Sequence, residues 1–125
     1  MQHRESAWGR VDSYRVDLES QPGRIRVRWG ELLVADTQSA LQVLETNHDP
    51  VIYLPMKDIE EDLLESTSLE TFCPFKGVAS YWTLRDRDRQ LENVLWSYLE
   101  PFEEVVGLRG YGAFYADRLE WEETD

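Results

Sequence analysis

Cysteine occurs once in these 125 residues (Cys73), lysine twice (Lys57 and Lys76) and histidine twice (His3 and His48). One cysteine excludes a disulfide within the chain, and with it any Cys₄ or Cys₂His₂ zinc site that the chain would build alone. No run approaches the ~20 apolar residues that span a bilayer. The leading MQHRESAWGR holds no apolar core and does not read as a signal peptide. There is no GxSxG, no HExxH and no phosphate-binding glycine loop, because GLRGYG at 107–112 does not open a helix after a strand. Cationic charge is short too: 13 Lys and Arg face 25 Asp and Glu, for a net charge of −12. That balance disfavours binding to nucleic acid or to an anionic membrane, which need cation excess. These absences predict a soluble protein of a reducing, cytoplasmic setting, with no metal, no cofactor, no nucleic acid and no membrane among its partners.

Aromatic residues are plentiful: five Trp, six Tyr and four Phe. Such rings need a core, a pocket or an interface. A chain this long buries roughly two-thirds of its unfolded surface, enough for a core without staples. Residues 1–23 are the least patterned and read as an N-terminal arm laid on the domain with Trp8 as its anchor; residues 24–125 read as the domain itself.

RIRVRW (24–29) alternates strictly and predicts a half-exposed strand, with Gly30 turning into a partner at ELLVA (31–35). DTQSALQVLE (36–45) fits either a helix capped at Asp36 or Thr37 or a buried strand at ALQVL. VIYLP (51–55) predicts a short strand, and KDIEEDLLE (57–65) one or two helical turns. SYWTLR (80–85) and LENVLWSYL (91–99) predict a hairpin, EPFEEVVG (100–107) a short capped helix, YGAFYA (111–116) a strand and RLEWEE (118–123) an edge strand. The fold class is therefore mainly β: antiparallel strands with short helices and no βαβ alternation.

TFCPFKGVASYW (71–82) concentrates the chemistry. A reactive thiol needs a lowered pKa and a base. Lys76 is the nearby cation, and His48 is the histidine in the body of the chain, His3 lying in the arm. Cys73, Lys76 and His48 are thus the catalytic candidates; the competing reading makes Cys73 a small buried hydrophobe. Pro74 and Gly77 mark a tight turn, with positive φ expected at Gly77. Glu45, Asp49 and Asp58 surround the His48 loop as carboxylates for acid–base work or a metal, against a plain solvated loop. Alternation sets Trp96 and Tyr98 on one face of a strand and Tyr81 opposite Trp82. One aromatic set builds the core; the other is a second packed layer or lines a small-molecule pocket.

Read together, VRWGELLVADTQSALQVLE (27–45), PVIYLPMKDI (50–59), DLLESTSLETFCPFKGVASYW (62–82), NVLWSYLEPF (93–102) and GYGAFYADR (110–118) resemble the DUF427 family, a domain of unknown function. The resemblance spans about residues 24–121. It implies a compact β-rich fold similar to the β-tent or Mss4-like group. Zinc-binding relatives there use two CxxC pairs, which this chain lacks. Family members often carry histidine just before the cysteine, where this chain has Phe72. The label nucleotidyltransferase attached to the family implies a GS followed by a paired-aspartate strand, and none is found.

The leading expectation is a small-molecule-binding domain whose ligand carries an anionic group. Its site would be an aromatic wall of Tyr53, Tyr81, Trp82, Trp96 and Tyr98, with Lys76 and Arg109 for the anion and Cys73 at the edge. The alternatives are a non-catalytic homodimeric interaction module joined through aromatic or edge-strand surfaces, an enzyme using Cys73, and the nucleotidyltransferase of the family label.

Overall fold

The computed structural model describes residues 5–125, so His3 lies outside the described residues. Ten strands follow in chain order: β1 Val16–Ser20, β2 Arg24–Trp29, β3 Leu32–Thr37, β4 Leu41–Glu45, β5 Val51–Pro55, β6 Leu64–Cys73, β7 Gly77–Asp86, β8 Arg89–Ser97, β9 Tyr111–Phe114 and β10 Glu120–Thr124. They form a seven-stranded sheet of order β1-β4-β5-β9-β8-β7-β6 and a three-stranded sheet of order β10-β2-β3. Every pairing is antiparallel. This is the β-rich class expected from the alternation of short apolar runs. No helix among the described residues is long and apolar enough to cross a membrane.

Side chains alternate across a strand, so the large sheet can bury both faces. Leu54, Leu84, Leu95 and Phe114 meet Ile25, Val27 and Val34 of the small sheet in one cluster. Tyr53, Ala79, Tyr81, Tyr98 and Ala113 lie in a second cluster, together with Val105, Leu108 and the arm's Trp8. Leu54 and Leu95 are fully buried; truncating either to alanine would cost about 2–5 kcal/mol by lost burial and a residual cavity. Arg89 ties the sheets together at one end, its guanidinium 4.0 Å from the centre of the Trp29 ring.

Several elements differ from expectation. Of the two readings of 36–45 the strand holds and the helix does not: β3 runs to Thr37 and β4 takes Leu41–Glu45, with Val43 buried. The helical turns at 57–65 and 100–107 are 3-10 pieces, Met56–Asp58, Glu61–Leu63 and Glu103–Leu108. The last has no side-chain cap and breaks at Val105 (φ −128, ψ 32). The positive φ at its end belongs to Gly110 (+85) rather than Gly107. The arm is more structured than its composition suggests, because its segment 16–20 pairs with β4 as an edge strand.

Candidate functional site

The segment Cys73–Lys76 joins β6 to β7 as a tight turn closed by the Lys76 amide donating to the Cys73 carbonyl at 3.2 Å. Pro74 presets its φ at the second position. Gly77 leaves the turn at φ +117, the left-handed side expected of it. The arm clamps this turn from outside. The Ala7 amide donates to the Pro74 carbonyl at 2.8 Å, and Trp8 Nε1 donates to the Phe75 carbonyl at 2.8 Å. The Tyr14 ring stacks on Phe75 with centroids 3.7 Å apart and planes 11° off parallel. Trp8 is thus the anchor that its ring predicted.

The turn sends the Lys76 side chain inward. Its ammonium pairs with Glu45 at the end of β4, and the two side chains are only 10% and 9% exposed. The Tyr14 hydroxyl donates to the other Glu45 oxygen. Burial pushes the Glu45 carboxyl up, but the hydrogen bonds from Lys76 and Tyr14 and the Lys76 charge outweigh it and hold the group below its ordinary value. Lys76 Nζ also donates to Cys73 Sγ at 3.9 Å. His48 is exposed: its Nδ1 lies 2.8 Å from the Thr46 carbonyl and 4.0 Å from Glu45. Cys73 therefore has Lys76, not His48, as its polar neighbour among the described residues, and the Cys73–His48 pair is not formed.

Next to this turn opens a cleft of about 470 Å³, inside the range of small-molecule sites. Tyr53 from β5, Tyr81 from β7, Trp96 from β8 and Tyr98 just after that strand form its wall, with Tyr115 at the rim; Cys73, Lys76, Glu45 and His48 lie on the same cleft. Trp96 Nε1 donates to the Tyr53 hydroxyl at 3.2 Å, and the hydroxyls of Tyr81 and Thr71 are 3.0 Å apart. The Tyr53 proton has no acceptor among the described residues, and the Tyr98 hydroxyl has no hydrogen-bond partner there at all. Yet Tyr98 is 7% exposed. Every described side-chain nitrogen or oxygen sealed from solvent does have a partner. The Tyr98 hydroxyl therefore keeps contact with open space, and the space that Tyr98 lines is this cleft. Burial raises both phenols well above their ordinary range, so each stays a neutral donor.

Two expected members lie elsewhere. Trp82 points to the opposite face, packed against the core between the sheets and bordering a different cleft with Met56 and Ser66; the strand's period of two requires this once Tyr81 faces the site. Arg109 is exposed and does not line the cleft. Asp58 is also remote, accepting from Thr37 Oγ1 at 2.7 Å, whereas Asp49 lies on the cleft with His48. No three His, Cys, Asp or Glu side chains among the described residues gather in a way that could hold a metal ion. Tyr14, bonded to Glu45, and Tyr115, on the cleft, are the neighbours that sequence reasoning did not place at the site. Tyr14 had no signal beyond its place in the unpatterned arm. Tyr115 follows β9 directly, and its ring lies 4.8 Å from that of Trp96.

The arrangement offers aromatic faces, two neutral phenol donors, a thiol and a cation whose charge is balanced by Glu45. It can grip a flat molecule by its faces and an oxygen acceptor by its edge. No curated protein matches the chain. Residues 17–125 match the family described as a domain of unknown function (DUF427), and the chain belongs to that family.

Proposed function

We propose that this protein binds a small planar molecule carrying a carbonyl-type oxygen acceptor in the tyrosine-walled cleft. The observation that carries the reading is the Tyr98 hydroxyl, the polar end of a residue more than nine-tenths buried, without a partner among the described residues, on a cleft walled by aromatic rings. That hydroxyl is open to the cleft, and donating to a ligand acceptor there contributes about 0.5–1.5 kcal/mol, while the rings contribute apolar contact. The anionic ligand expected from Lys76 and Arg109 gives way here to a neutral one. Lys76 already faces Glu45, and a full negative charge would meet Glu45 and Asp49 on the same cleft. The lone thiol suits a cytoplasmic setting, where it stays reduced.

Ligand-observed NMR with paired aromatic ketones and carboxylates tests this. The ketones are expected to bind, and Tyr98→Phe to weaken them about fivefold or more, the loss of one hydrogen bond. Binding that ignores Tyr98→Phe, or a preference for carboxylates, would overturn the reading. Light scattering on the same sample tests the homodimer: a dimer that covers Trp96 and Tyr115 would replace it.

A further inference from the structure

The cleft pairs two features that simple binding does not require. One is a thiol that already takes part in a hydrogen bond with an amine: Cys73 Sγ accepts from Lys76 Nζ at 3.9 Å, and a thiol is the chain's strongest candidate nucleophile. The other is a pair of phenol protons, from Tyr53 and Tyr98, without acceptors among the described residues. Both features line one cleft.

We propose that the cleft takes an α,β-unsaturated carbonyl compound and adds Cys73 to it, with the Tyr98 and Tyr53 hydroxyls holding the carbonyl oxygen. The inference rests on the small-molecule reading above and names its ligand class. A nucleophile and an oxygen-directed donor pair are the two parts that conjugate addition needs. The Sγ–C bond forms at the β-carbon, and the carbon–carbon π pair moves to give an enolate. The negative charge collects on the carbonyl oxygen, where preorganised donors are most effective. The proton released by the thiol passes to solvent at the open cleft, and the α-carbon takes one back. The adduct contains every atom of thiol and enone, and no oxidant or reductant is consumed. The aromatic wall accounts for a planar substrate, since an enone conjugated to a ring is flat and stacks on such faces.

Three probes separate the parts. The enone is 4-phenyl-3-buten-2-one, the saturated ketone is 4-phenyl-2-butanone, and iodoacetamide alkylates a thiol with no enolate to stabilise. Intact-mass kinetics on the full chain are expected to show one enone adduct, on Cys73 and absent in Cys73→Ser. Tyr98→Phe should slow the enone at least about tenfold, in line with removal of one oxyanion donor. Iodoacetamide should slow far less than the enone in that variant, because alkylation builds no enolate oxygen for the hydroxyl to hold. If both reagents slow equally, or Tyr98→Phe leaves the enone rate unchanged, the conjugate-addition proposal is overturned. Should the saturated ketone still bind in that case, the binding reading survives without it. If neither the ketone binds nor the enone adds, both fall.

Discussion

Lys76 and Glu45, 31 residues apart in the chain, form an ion pair almost sealed from solvent, with the Tyr14 hydroxyl on the far carboxylate oxygen. Breaking such a pair from one side leaves an uncompensated buried charge, which costs more than the pair itself is worth. Lys76→Met is therefore expected to lower unfolding free energy by about 3 kcal/mol. The double variant Lys76→Met/Glu45→Gln should recover more than half of it, because glutamine is uncharged and still accepts from Tyr14. Urea denaturation of the three proteins checks this; equal stability of the single and double variants would refute it.

Acid should act on the same pair. Glu45 titrates below its ordinary value of 4.5 when folded. A depressed folded pKa means that the unfolded chain binds protons first as the pH falls. The stabilisation is complete above the ordinary carboxylate range and is lost as the pH drops through the folded value. Denaturation midpoints measured from pH 6 downward should fall below about pH 4.5, the unperturbed carboxylate range, and Glu45→Gln should flatten that slope.

Alkali works in the opposite sense. Tyr14, Tyr53 and Tyr98 all titrate above the ordinary phenol value of 10.0, with burial the largest cause in each. Above that value the unfolded chain loses protons that the folded chain keeps, so stability declines as the pH rises. Tyrosinate absorbance should show these three phenols ionising only together with unfolding. Smooth titration of all six tyrosines in a folded protein would contradict the burial described.

Two glycines with the same backbone angle should respond differently to a methyl group. Gly23 and Gly110 both have φ +85, but a Cβ on Gly23 would lie 2.3 Å from the Thr124 carbonyl oxygen, while one on Gly110 meets nothing within 4 Å. Gly110→Ala should cost about 1–2 kcal/mol, the left-handed penalty alone. Gly23→Ala adds a clash with backbone where Arg24 pairs with Thr124, and should cost about 1–3 kcal/mol more. Thermal melts of the two variants give the comparison.

RIRVRW announces itself by strict alternation, and VIYLP as a short apolar run bounded by prolines, with Tyr53, Leu54 and Pro55 all buried. LESTSLETFC does not, although it forms all ten residues of β6. It is an edge strand with a register break between Ser66 and Glu70, so its apolar positions fall out of period. The face of each aromatic could be read from period two, which set Tyr81 apart from Trp82. What no local pattern carries is the meeting of β4 with the 73–76 turn. Glu45 was visible as a carboxylate and Lys76 as a scarce cation, but their union depends on strand order. That order, β1-β4-β5-β9-β8-β7-β6, is a product of long-range pairing.

Trp8 and Tyr14 stand upstream of residues 17–125, the part that matches the family. They nonetheless splint the turn that bears Cys73 and Lys76. The turn is thus framed by two layers of different standing: a sheet wall that lies within the family's own span, and an outer brace that lies beyond it. Shortening the brace offers a way to loosen the turn while the tyrosine wall stays in place.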